Sequence, residues 1–167
     1  MKALKMEVIM NGLAEIAEGN VKRIIAIRLK PGNDLLKGLE EICKEKQIKN
    51  GVILSALGSL NGAFFCNPVE LPEKKAGYGY GETLSLSGPI ELINASGLIC
   101  HDSNDEISLH VHISLSDRHG NAHGGHLVEG TKVLLTVDMV IAELEGLVMG
   151  REFDKDLEVP IFAPRQN

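Results

Sequence analysis

Several common protein classes are excluded by what this sequence lacks. It has no cluster of lysines or arginines: 17 basic residues are interspersed with 23 acidic ones, for a formal net charge of -6. Composition therefore supplies no electrostatic footprint for a phosphate backbone. There is no CxxC pair. Cys43, Cys66 and Cys100 are odd in number, widely spaced and set in apolar contexts, which reads as three reduced core thiols rather than a redox or zinc motif. No apolar run approaches the roughly eighteen residues of a membrane span, and residues 1–20, which include Glu7, Glu15 and Glu18, lack the continuous apolar stretch of a secretory signal. A cytoplasmic protein with no membrane partner is the expectation, and it makes the sequon Asn94-Ala95-Ser96 a chance occurrence. Repeats, low-complexity stretches and domain linkers are also missing.

What is present fits one domain. At 167 residues the chain is long enough to bury a core without disulfides, and a second independent domain is not expected. Val21 to Leu29 reads as a strand ending in the turn Lys30-Pro31-Gly32-Asn33, with Asn33 or Asp34 placed to cap the next element. Leu35, Leu36, Leu39, Ile42 and Cys43 recur at helical spacing with Lys37, Glu40, Glu41, Lys44 and Glu45 between them, an amphipathic helix expected to end near Lys49-Asn50-Gly51. Gly51 to Cys66 suggests two strands joined or bent at glycines, and Pro68 to Lys75 an exposed loop. Gly81 to Gly88 and Ile90 to His101 read as a further pair of strands with Gly88-Pro89 as the turn or bulge between them. Ser116 to Gly125 reads as a ten-residue loop. Lys132 to Leu144 reads as a long strand that is apolar on both faces, central in its sheet or covered by a partner subunit. Residues 1–20 are expected to form an N-terminal extension or edge strand, and residues 151–167, with Pro160 and Pro164, an extended C-terminal arm. One main helix among many mainly antiparallel strands places the chain in the α+β class, as one compact, strongly curved sheet.

The chemistry concentrates in one segment. Ile107 to Leu115 alternates Ile107, Leu109, Val111, Ile113 and Leu115 with Ser108, His110, His112 and Ser114, so a half-buried strand would put both imidazoles on its polar face. Fourteen residues after His112 comes His126, preceded by Gly124 and Gly125, whose missing side chains let backbone and imidazole approach a facing strand. Three neutral imidazoles with an open fourth position suit a catalytic divalent metal. The bland alternative is a solvated strand face with exposed histidines. His119 and His123 lie between the two clusters and read more simply as exposed loop residues, and nothing singles out His101. Glu82 opens an alternating segment where a carboxylate beside a metal could act as general acid or base, or be a solvated strand end. Arg28, between Ile27 and Leu29 in an apolar strand, is either paired with a carboxylate or aimed at an anionic ligand.

These residues, taken in order, resemble the prokaryotic PPC (plants and prokaryotes conserved) domain. The resemblance rests on Arg28 to Gly32 with Asp34, Gly51 to Leu60 (GVILSALGSL), Glu82 to Gly88 (ETLSLSG), Leu109 to Asp117 (LHVHISLSD), Gly124 to Leu127 (GGHL), and Glu129-Gly130. It spans about Val21 to Phe162. It implies a compact sheet with a packed helix, a homotrimer with sites near subunit boundaries, and a fold and metal geometry like those of the acetolactate decarboxylases, which hold zinc through three histidines. Carried onto this chain, the ligands are His110, His112 and His126, binding zinc or another divalent transition metal, with Glu82 and Arg28 as candidate catalytic neighbours. The implied function is binding or transforming a small anionic molecule by lyase or hydrolase chemistry. In plants the domain accompanies an AT-hook in DNA-binding proteins, which gives the alternative function. This chain has no such hook, is acidic, and keeps the histidines.

Overall fold

The computed structural model describes residues 13–167; of the expected N-terminal extension, residues 1–12 lie outside it. In chain order the elements are β1 (Asn20–Leu29), α1 (Leu35–Lys46), β2 (Gly51–Leu60), β3 (Ala63–Cys66), β4 (Pro68–Glu70), β5 (Tyr78–Tyr80), β6 (Leu84–Leu86), β7 (Ile90–His101), β8 (Ile107–Ser116), β9 (Ala122–Leu127), β10 (Val133–Glu145), β11 (Leu147–Asp154) and β12 (Val159–Gln166). One curved, open sheet runs in the order β1-β10-β2-β7-β8-β9-β3-β6, with the β11-β12 hairpin joined to β7 and a separate β4-β5 ribbon. Every pairing is antiparallel except the parallel bridge between β11 and β7 at Gly150 and His101. This is the expected α+β architecture in one compact domain.

The helix forms where the periodicity predicts. Leu35, Leu39 and Cys43, four residues apart, are its buried line, and they share a core with Val111, Ile113 and Leu115 of β8. The Asp34 carboxylate caps the first turn, accepting from Leu36 N at 3.0 Å and Lys37 N at 3.1 Å. Its other oxygen accepts from Gly130 N at 2.7 Å. The helix ends at Lys46, earlier than expected, because Gln47 turns left-handed (φ 56°) and Ile48 N closes on Cys43 O at 2.8 Å. Asn50 is used elsewhere: its side-chain oxygen accepts from Met149 N at 2.7 Å and so ties β11 to the helix exit.

Four segments differ from their sequence reading. Pro68 to Lys75 is not wholly loop, since Pro68–Glu70 pairs with Tyr78–Tyr80. Gly81 to Gly88 yields only the three-residue β6, which pairs with β3 and not with β7; the Gly88-Pro89 peptide between β6 and β7 is cis. The loop after β8 shrinks to residues 117–121, because one oxygen of Asp117 accepts from both His119 N (2.8 Å) and Asn121 N (2.9 Å) and folds the chain straight back. Residues 151–167, read as an extended arm, form most of the β11-β12 hairpin. Pro160 and Pro164 fit there because β12 is an edge strand, where a missing N–H leaves no ladder bond unmade. The long apolar strand β10 lies between β1 and β2, central in the sheet.

Candidate metal centre

β8 carries the first two imidazoles as its alternation predicts. Val111, Ile113 and Leu115 are buried against the helix, while His110, His112 and Ser114 point to the opposite face. β9 returns beside it with His126 directly opposite His112, Gly125 opposite Ile113 and Gly124 opposite Ser114. The two glycines serve two different neighbours. A Cβ on Gly124 would sit 2.4 Å from the Ile113 carbonyl oxygen of β8, and one on Gly125 would sit 2.8 Å from the Cys66 carbonyl oxygen of β3 and 2.3 Å from Asn67 Oδ1. Glycine at both positions lets β9 lie flush between β8 and β3 with its histidine in register.

The result is a cluster of three. Potential ligand atoms of His110, His112 and His126 all lie within 4.8 Å of one another, and Nε2 of His110 is 3.1 Å from Nε2 of His112. Two nitrogens bound tetrahedrally to one zinc ion at about 2.0–2.1 Å would be about 3.3 Å apart, so this pair is already close to chelating distance. Ring centroids are 5.0, 5.2 and 5.4 Å apart across the three pairs. Nδ1 of His126 is buried with no hydrogen-bond partner, a costly state for a ring nitrogen that a bound ion and its coordination sphere would relieve. The donor set and the orphaned nitrogen both fit a divalent metal.

Burial favours the neutral form of two of the donors. Burial lowers the His110 pKa, helped by the nearby charges of Arg151 and His112. Burial likewise brings His126 down to about 4, with His110, His112 and Arg151 adding to the effect. At neutral pH both present the uncharged imidazole that a metal requires.

Other sequence candidates fall outside the cluster. His123 is opposite Leu115 on β9, three positions from His126 and therefore on the other face. It lies 3.4 Å from Asp117 Oδ2. His119 sits in the turn, where its Nε2 accepts from Arg118 Nε at 3.1 Å, and Nδ1 of His101 lies 3.3 Å from the Lys49 carbonyl. Glu82 is exposed on the link between β5 and β6. Arg28 is exposed on β1, opposite Asp138, four strand positions from β8 and so roughly 19 Å away along the sheet. Its charge is not buried, because it occupies the outward parity of β1 between the half-buried Ile27 and buried Leu29.

Two residues were not anticipated. Tyr80 of β5 places its ring 4.8 Å from that of His126. Arg151 of β11 donates from Nη1 to the Leu109 carbonyl at 2.7 Å, next to His110. Tyr80 carried no sequence signal. Arg151 did, since it follows Leu147-Val148-Met149-Gly150 much as Arg28 follows its own apolar run.

Known proteins share this fold. The metal-containing protein AF0104 from Archaeoglobus fulgidus superposes with a TM-score of 0.76 at 26% identity, covering 90% of this chain and 99% of that one. A plant- and prokaryote-conserved protein from Pyrococcus horikoshii superposes with a TM-score of 0.74 at 27% identity, covering 89% and 97%. Among curated sequences, the bifunctional protein GlmU of Synechococcus sp. (strain JA-3-3Ab) is 31% identical over 121 residues, which are 72% of this chain and 17% of that protein. The chain thus spans about one sixth of that relative's length. Residues 16–145, most of the chain and including the strands that bear all three histidines, match the model of the Plants and Prokaryotes Conserved (PCC) domain, and the chain belongs to the PCC domain family.

Proposed function

We propose that this protein holds a divalent metal, zinc by preference, through His110, His112 and His126, and that it binds or transforms a small anionic molecule there. The convergence of three imidazoles within 4.8 Å carries this reading, and the metal-containing relative supports it. A set of three protein donors leaves coordination capacity for a ligand, whereas structural zinc sites usually close with four. The metal supplies a Lewis acid there, suited to lyase or hydrolase chemistry. In this reading Glu82, two residues beyond the ring that touches His126, moves a proton.

Arg28 lies too far along its own sheet to join this site, so an anion-binding role for it belongs to a second copy. A homotrimer, of about 54 kDa for three 18.1 kDa chains, is the assembly proposed, in the cytoplasm and without a membrane partner. No described helix is long and apolar enough to cross a membrane. The alternative DNA-binding role has no counterpart in a chain with 23 acidic and 17 basic residues.

A screen of small carboxylates and phosphate esters with the zinc-loaded protein and with His112→Ala tests the enzymatic reading. Turnover by the wild type and its loss in the variant is expected. Equal turnover by both would remove the metal from the chemistry.

A further inference from the structure

Arg151 is an unusual neighbour for a cation site. It is half-buried on β11, and its hydrogen bond among the described residues goes to a backbone carbonyl, Leu109 O at 2.7 Å. Its Nε is enclosed without any acceptor. No carboxylate pairs with it among the described residues, whereas Arg23 and Arg165 pair with Glu143 and Glu152; Arg28 and Arg118 also lack a carboxylate partner but are exposed to solvent. A guanidinium held partly out of water with an orphaned N–H and no counter-ion costs stability, so its position calls for a compensating role.

The charge count at the site points to that role. Three imidazoles contribute no negative charge, and the ligand group contains no aspartate or glutamate. A bound divalent ion would keep its full charge, and Arg151, bonded to the carbonyl of Leu109 next to His110, adds another positive charge beside it. Such a site is complete only when an anion enters it.

We infer that Arg151 is the anion-holding residue of the metal centre, binding a carboxylate of the small molecule that occupies the remaining coordination position. This inference rests on the metal reading proposed above. A planar guanidinium matches the two oxygens of a carboxylate, and Arg151 is hydrogen-bonded next to His110 within its own chain, where Arg28 is not.

The experiment uses the full chain loaded with Co2+, whose visible absorption reports both metal uptake and changes in coordination, titrated with oxalate. In Arg151→Met oxalate affinity is expected to fall about 10- to 100-fold, while Co2+ is held at least as tightly as in the wild type because a neighbouring positive charge has gone. Arg151→Lys, which keeps charge and stem but not the fork, is expected to bind oxalate several-fold more weakly than the wild type and carries the test if the Met variant does not fold. Oxalate affinity unchanged in these variants would overturn the inference and leave the metal reading standing. Parallel loss of Co2+ and oxalate would overturn it too, by making Arg151 a structural support. Failure of the wild type to take up Co2+ would remove the metal reading and the inference with it.

Discussion

Gly124→Ala tests the local geometry on which the metal centre depends. The added methyl would lie 2.4 Å from the Ile113 carbonyl oxygen, against 3.4 Å for an ordinary contact, so β9 must retreat from β8 by about 1 Å at that point. Because the obstacle is backbone in a central strand, little can yield on the other side. His126, two residues on and opposite His112, moves with β9. Metal–ligand distances tolerate about 0.2 Å, so a displacement several times larger should weaken zinc binding about 10- to 100-fold, the range seen when support of a ligand is lost. Overpacking of this kind also costs about 1–3 kcal/mol of stability. A chromophoric-chelator competition would read zinc affinity, and thermal unfolding would read stability. Ile48→Val, in the fully buried position after the helix, costs about 0.5–1.5 kcal/mol and serves as a destabilised control with zinc affinity intact. Unchanged zinc affinity in a folded Gly124→Ala protein would refute the idea that close approach of the two strands positions His126.

Three further outcomes are expected from the packing. Asp34→Ala removes two helix-capping bonds and the bond to Gly130 N, for an expected loss of about 2–4 kcal/mol in urea unfolding; a loss below about 0.5 kcal/mol would contradict the capping role. Burial pushes the Cys43 thiol up to about 12, aided by Glu40, and burial raises Cys100 to about 11 despite Arg151. Both should resist alkylation in the native protein at pH 8 and react once unfolded in urea, and rapid native labelling at either would contradict their placement. At Glu143, burial alone would raise the pKa, but Lys22 and Arg23 together outweigh it and hold the carboxyl below its ordinary value. A depressed folded-state pKa means stabilisation that is present above the ordinary carboxylate pKa and lost as pH falls through the folded value. The stability gap between wild type and Glu143→Gln should therefore shrink on acidification below about pH 4, and a gap that widened there would reverse the assignment.

The candidate site was legible in the sequence to the extent that its geometry is local. Alternation along β8 is a period-two signal, and it placed His110 and His112 on one face because strand geometry leaves no other choice once Val111 and Ile113 are buried. β9 was harder: Ala122-His123-Gly124-Gly125 is poor in strand-forming residues, and it is extended because the Asp117 turn delivers it to β8 and both of its edges find partners. That pairing also decides between His123 and His126, which spacing left open, since only His126 shares the parity of His112. Tyr80 and Arg151 reach the site through the β4-β5 ribbon and the β11-β12 hairpin, both tertiary placements without a spacing signature. Arg28 and Arg151 show the limit of reasoning from an arginine in an apolar run. The same signal marks both, yet the sheet order puts one four strands from the histidines and the β11-β12 hairpin brings the other to the Leu109 carbonyl beside His110.

The central claim is that His110, His112 and His126 hold one metal ion per chain. Elemental analysis of protein purified without an affinity tag, after exhaustive dialysis against metal-free buffer, tests it most directly when His112→Ala and His126→Ala are measured beside the wild type. The account predicts close to one zinc per chain in the wild type and less than about a tenth of that in either variant, with all three proteins folded. A wild type free of metal, or variants that retain as much as the wild type, would contradict it.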